Sequence, residues 1–160
     1  TITNNTKIIG YASRGSAFHE GCATSLANSC ERFGHPYHIE EIDFGKNAKE
    51  ITLAKQGFIL RLLELEQPPL LWLDCDTQLN DTIDGIPWEG HWDAGFTPAV
   101  KGLGKHAKRI LMRRRRWENS VAGFAIAVKP SPRCFEFLKV WEYLCRDPDI
   151  FSHSDYRRTT

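Results

Sequence analysis

The sequence predicts an α/β domain with a mostly parallel central sheet flanked by helices. Apolar patterns with strand and helix spacing alternate between residues 7 and 73, in the order strand, helix, strand, helix, strand. That order is typical of a parallel sheet whose strands are joined by helical crossovers. The chain has 160 residues, of which 41% are hydrophobic and 26% charged, as expected for one soluble globular domain.

The first strand is predicted at Lys7–Ala12, and residues 13–16 form the turn that ends it. A helix follows, because apolar residues recur at intervals of three or four. Gly34 and Pro36 end this helix, since glycine accepts the positive φ of a helix cap and proline blocks further turns. The apolar face of the predicted helix comprises Phe18, Cys22, Leu26, Cys30 and Phe33.

The second strand is predicted at Tyr37–Phe44, and a single second helix at Ile51–Leu65, which residues 67–69 terminate. The third strand is the short apolar run that starts at Leu70. Beyond a connection at residues 81–92, strands are predicted at 93–97 and 121–128, with a closing helix at 133–145. The positions of the fourth and fifth strands within the sheet do not follow from the pattern.

Two carboxylates, Asp74 and Asp76, come directly after the third strand. A strand end in an open α/β sheet lies at the edge where such folds bind ligands. Two neighbouring anions stay ionised more easily around a bound cation, and Mg²⁺ or Mn²⁺ prefers oxygen ligands. The sequence therefore favours a metal–phosphate site here, and the alternative is an ordinary Asp-rich turn.

Taken in order, these residues resemble the GT-A family of nucleotide-sugar-dependent glycosyltransferases. The resemblance is strongest to bacterial and phage-type members with a Leu-Trp-x-Asp-x-Asp-Thr segment, here residues 71–77. It implies a Rossmann-like GT-A fold in a single domain spanning residues 1–160. Because 160 residues is short for an active member, we expect the C-terminal acceptor lobe to be truncated.

The resemblance also implies roles for individual residues. Asp74 would lie near the donor ribose and metal, Asp76 would bind the metal that bridges the diphosphate, and Lys55 would face the donor. Asp155 would line the acceptor side and is the candidate general base of an inverting enzyme, whereas a retaining enzyme would not need that base in the same role. The nucleotide would be cradled by the end of the first strand and its turn, at Tyr11, Ala12, Ser13 and Arg14.

The implied activity is metal-dependent transfer of a sugar by a hexosyltransferase-type enzyme. The donor would be a UDP- or GDP-sugar, the metal Mn²⁺ or Mg²⁺, and the acceptor an unidentified glycan, lipid or protein. The chain departs from the family pattern in two places. Ala122 precedes Gly123 where many members have Asn or Ser, and His153 precedes Asp155 where many have a later metal-binding His.

Two other functions fit parts of the sequence. The arginine run Arg113–Arg116 beside Trp117 could bind nucleic acid, although a net charge of +1 speaks against that partner. The second alternative is a nucleotidyltransferase of related fold, which would normally carry a glycine-rich phosphate loop after the first strand. Residues 13–16 contain only one glycine, which speaks against this function.

Cysteine usage and hydropathy bear on the location of the protein. The five cysteines are odd in number and include no Cys-x-x-Cys, which favours free thiols in a reducing cytoplasm. No run approaches the ~20 apolar residues of a membrane span.

Overall fold

The computed structural model describes residues 5–45, 48–66, 68–84, 86, 88–98 and 121–146. Five strands and four helices are assigned within these ranges. In chain order they are β1 (Lys7–Ser13), α1 (Ala17–Arg32), β2 (Tyr37–Ile42), α2 (Ala48–Leu53), α3 (Lys55–Glu66), β3 (Leu70–Leu73), β4 (Ala94–Pro98), β5 (Val121–Val128) and α4 (Pro132–Arg146). None of the helices in the described ranges is long and apolar enough to cross a lipid bilayer.

The sheet is mixed, with the strand order β2-β1-β3-β5-β4. The predicted parallel arrangement of the first three strands is confirmed. The prediction of a mostly parallel sheet holds only in part, because β5 runs antiparallel to both of its neighbours, β3 and β4. Pro98 pairs with Val121, so the end of β4 and the start of β5 lie at the same edge of the sheet.

Helices or connecting segments cover both faces of the sheet. Because successive strand residues point to opposite faces, Leu70 and Trp72 of β3 pack in one layer with α3 and α4, whereas Leu71 and Leu73 pack in the other with α1. The strand is therefore buried on both sides along its whole length. This burial fixes the position and direction of β3, and therefore the place where the segment that begins at Asp74 leaves the sheet.

Helix α1 starts and ends close to the predicted residues. Ser16 accepts a hydrogen bond from the backbone N–H of His19 and caps the first turn, and Gly34 adopts a φ of 70° just after the end. Phe18, however, was predicted on the buried face and is 67% exposed. It lies in the first turn of α1, whereas the buried residues of this helix begin only at Ala23.

The predicted single helix Ile51–Leu65 is two helices, α2 and α3, separated at Ala54. The hydroxyl of Tyr11 on β1 donates a hydrogen bond to the backbone carbonyl of Ile51, three residues before Ala54. The apolar spacing continues through the break, so the pattern alone indicated one helix. The partner that engages the helix backbone here lies 40 residues away in the sequence.

Gly10 allows β1 to lie against the end of β3. A Cβ atom at this position would lie 2.7 Å from the carbonyl oxygen of Leu73, which is the residue before Asp74. A side chain there would push the strand end away or displace β1. The absence of a side chain at Gly10 thus contributes directly to where the first carboxylate sits.

We expect the substitution Gly10→Ala to lower the free energy of unfolding by about 1–3 kcal/mol, because it overpacks a backbone contact. Urea denaturation followed by circular dichroism measures this change. Gly21→Ala is the matched control, since nothing lies within 4 Å of a Cβ at this position in α1. Alanine favours helix over glycine by up to ~1 kcal/mol, so the control should be neutral or stabilising. Equal losses for both variants would contradict the close-approach explanation.

Candidate functional site

The segment after β3 forms a tight turn that presents two carboxylates. The backbone carbonyl of Asp74 accepts hydrogen bonds from the backbone N–H of Thr77 at 3.0 Å and from the Thr77 hydroxyl at 2.6 Å. Thr77 therefore closes the turn by bonding to Asp74, the first residue of the turn, and Cys75 and Asp76 occupy the two central positions. The residue types of the Asp-x-Asp-Thr segment account for its conformation as well as its charge.

A pocket of about 200 Å³ opens beside this turn. Strand ends, the break between α2 and α3, and the first turn of α1 all contribute to its wall. The wall thus combines carboxylates, one ammonium group and aromatic rings in a small volume. The lining residues are Tyr11, His19, Ile51, Lys55, Trp72, Asp74, Cys75 and Asp76.

Asp74 is held by two donors from the protein itself. The Nζ of Lys55 lies 2.7 Å from its Oδ1, and the indole Nε1 of Trp72 donates to the same oxygen at 2.9 Å. The Lys55 side chain is 15% exposed and that of Asp74 34%, so the ion pair is partly screened by solvent. The lysine predicted to face the donor is thus located at the pocket, beside the first carboxylate.

Asp76 contrasts with Asp74, because it is exposed and its carboxylate makes no hydrogen bond or ion pair with the described residues. The same described part of the chain contains no cluster of three side chains able to ligate a metal ion. Two carboxylates nevertheless fit a Mg²⁺ or Mn²⁺ ion that takes its other ligands from substrate phosphates and water. Asp76 and the second oxygen of Asp74 are the atoms that could hold such an ion.

One buried and one half-buried group in the wall keep their protons at neutral pH. Burial, and then the negative charge of Asp74 and that of Cys75 at the high pH where its thiol ionises, raise the pKa of the Tyr11 phenol above its ordinary value. Burial, and then the charges of Asp76, Cys22 and Asp74, raise the pKa of the Cys75 thiol to about 11. Both groups are therefore neutral at pH 7, so they add no charge to that of the two carboxylates and Lys55.

The pocket brings together four of the residues predicted from the sequence: Tyr11, Lys55, Asp74 and Asp76. Three others, Ala12, Ser13 and Arg14, do not line it. Ala12 and Ser13 are buried at the end of β1. Arg14 is exposed, and its guanidinium donates to the backbone carbonyl of Glu41 at 3.3 Å. A nucleotide-binding role for these three remains a prediction.

His19 is the main addition to the predicted site. The sequence analysis gave this histidine no role, yet it lines the pocket, and its Nδ1 is buried without a hydrogen-bond partner among the described residues. The sequence feature that could have predicted this location is the position of His19 three residues after the Ser16 cap. The helix after β1 starts at the ligand-binding edge of such a sheet, so its first turn can reach a ligand.

Two sequence predictions lie outside the described residues. These are the candidate general base Asp155 and the arginine run Arg113–Arg116. His153, discussed with Asp155, also lies outside them.

The fold is similar to that of a known glycosyltransferase. That protein is a glycosyltransferase involved in the glycosylation of the major capsid of PBCV-1, seen in a crystal structure. The match covers 89% of this chain and 67% of that chain, with a TM-score of 0.57 and 14% sequence identity. Likeness at this identity shows a shared fold and leaves the reaction to be argued from the site. No protein-family model and no curated protein sequence matches the chain significantly.

We expect Cys75 to be an unreactive thiol in the folded protein. A pKa of about 11 in place of 9.0 lowers the thiolate fraction at pH 8 roughly 100-fold. Alkylation of Cys75 by iodoacetamide should therefore be slower by about that factor than in the urea-unfolded chain. Its rate should rise about tenfold for each pH unit between 8 and 10. Timed labelling with mass spectrometry of the Cys75 peptide measures both, and equal rates in the folded and unfolded chains would contradict the structure.

Proposed function

We propose that this protein is a glycosyltransferase that takes a sugar from a nucleoside diphosphate donor and uses a divalent metal ion. The observation that carries the proposal is the convergence of Asp74, Asp76 and Lys55 on one pocket at the carboxyl edge of the sheet. Open α/β folds bind their ligands at this edge. The fold shared with a known glycosyltransferase supports the same conclusion at a coarser level.

The proposed donor is a UDP- or GDP-sugar, with its diphosphate beside the turn after β3. Asp76 and the free oxygen of Asp74 would hold Mn²⁺ or Mg²⁺, which supplies Lewis-acid stabilisation of the departing diphosphate. Lys55 contributes a fixed positive charge at the same place, which lowers the barrier when the leaving group gains negative charge. Its contact with Asp74 holds the ammonium group in position before the donor binds.

The size of the pocket limits which part of the donor it can hold. Pockets that enclose a whole small ligand measure about 300–1,000 Å³, and this one measures about 200 Å³. It is therefore suited to the diphosphate and one adjoining ring. The acceptor is a glycan, lipid or protein in this proposal, and Asp155 remains the candidate base that would deprotonate its hydroxyl.

We expect UDP or GDP with Mn²⁺ to raise the melting temperature. A ligand at 100 times its Kd stabilises the folded state by about 2.7 kcal/mol, which corresponds to about 5–10 °C for a chain of this size. A panel of nucleoside diphosphates, each with and without Mn²⁺, identifies the base. A larger shift in melting temperature with nucleoside triphosphates would favour the nucleotidyltransferase alternative. No shift with any nucleotide of the panel would contradict the proposal.

Asp76→Ala should abolish the Mn²⁺-dependent part of the shift, because the variant lacks the exposed carboxylate proposed to bind the ion. The fold should tolerate the change, since the described residues give this side chain no hydrogen bond or ion pair. Asp84→Ala is the matched control, because Asp84 is also exposed but does not line the pocket. Loss of the shift in both variants would point to a general effect of charge rather than a site.

A further inference from the structure

A single oxygen of Asp74 receives both of the donors described above. Lys55 Nζ and Trp72 Nε1 lie 2.7 and 2.9 Å from Oδ1. These two contacts occupy Oδ1 with bonds to the protein. The other carboxylate oxygen, Oδ2, is consequently the one available to a ligand.

The two donors constrain the carboxylate differently. An ammonium group is a compact charge with three rotatable donors, so it attracts Asp74 without fixing how the carboxylate is turned. An indole has one N–H in the plane of a rigid ring, so its hydrogen bond has a single direction. The orientation of the Asp74 carboxylate therefore depends on Trp72 more than on Lys55.

Trp72 is itself held rigidly. Its side chain is 1% exposed, and its ring packs edge-on against those of Tyr11 and Phe58, with centroids 4.8 and 5.7 Å away. The Nζ of Lys55 lies 5.1 Å from the centroid of the same indole, within reach of a cation–π interaction. One buried ring thus contacts both members of the ion pair and connects them to the core.

We propose that Trp72 is a positioning residue for metal and diphosphate binding, acting through Asp74 and Lys55. It fixes Oδ1 on the protein side, turns Oδ2 toward the bound ion, and keeps the Lys55 ammonium beside the diphosphate. This inference rests on the proposed function and adds to it a residue that shapes the site before the ligand arrives. Partners that orient a metal ligand in this way typically contribute 10–100-fold to metal affinity.

The test is Trp72→Phe, which keeps an aromatic ring and removes the N–H. Calorimetric titration at 20 °C gives the Kd of the nucleoside diphosphate that stabilises the wild type most, with and without Mn²⁺. We expect the ratio of the Mn²⁺-free Kd to the Mn²⁺-containing Kd to fall about tenfold or more in the variant. A merely structural role for Trp72 would weaken binding equally in both conditions and leave this ratio unchanged, which would overturn the inference.

Trp141→Phe is the matched control. Trp141 lies on α4, packs against the same core layer as Trp72, and has its own hydrogen bond from Nε1 to the Gln56 side chain when that amide is oriented to satisfy its neighbours. It makes no contact with Asp74. The control should lose stability through the same kind of change but keep the wild-type ratio.

A second measurement covers the case in which Trp72→Phe fails to fold. In the ¹⁵N-labelled wild type, the Trp72 indole N–H signal should shift when Mg²⁺ and the same nucleoside diphosphate are added, because its acceptor carboxylate binds the ion. The Trp141 indole signal should stay in place. An unchanged Trp72 signal in a protein that binds the ligand would overturn the positioning role alone. A wild type that binds no nucleoside diphosphate would remove the proposed function as well.

Discussion

The structure of the site depends on compensating negative charge at the end of a buried strand. The four residues of β3 are all buried, and the next residue, Asp74, carries a charge that is only 34% exposed. A partly buried carboxylate is costly unless it is paired and hydrogen-bonded. Lys55 and Trp72 meet both conditions at one oxygen.

The Lys55–Asp74 ion pair contributes little to the stability of the fold. Partly buried pairs lose most of their Coulombic gain to desolvation, and apolar residues of similar size often stabilise a fold at least as well. The Lys55–Asp74 pair is therefore better explained by its location in the pocket wall than by the needs of folding. The same reasoning applies to Gly10, where the lack of a side chain weakens a strand but lets the first carboxylate sit close to β1.

The sequence predicted correctly those features of the fold that depend on residues close together in the chain. The burial of β3, the end of α1 at Gly34 and the bounds of β5 follow from apolar runs and turn residues, and the structure agrees with them. The direction of β5 was missed, because an apolar strand reads the same in both directions and only its pairing partners fix it. The break at Ala54 was missed, because it involves Tyr11, a residue distant in the sequence.

The residues of the candidate site also fall into those that the sequence could predict and those that it could not. Asp74, Asp76 and Lys55 could be predicted because their chemistry and their places on a strand end and a helix are visible in the sequence. His19 and Trp72 could not, since an isolated histidine and a strand tryptophan acquire a role only from what the fold puts beside them. Trp72 fits the continuous apolar run of β3 so well that packing alone explains it, and only its distance to Asp74 indicates a further role.

The pocket of the proposed function lies at an edge of the sheet that β1, β3, β4 and β5 share. β1 and β3 end at this edge, and Pro98 and Val121 meet there at the end of β4 and the start of β5. The described wall places two carboxylates and one ammonium group around a pocket of about 200 Å³. Under the proposed function, Asp74, Asp76 and Lys55 would together hold the diphosphate leaving group at this edge.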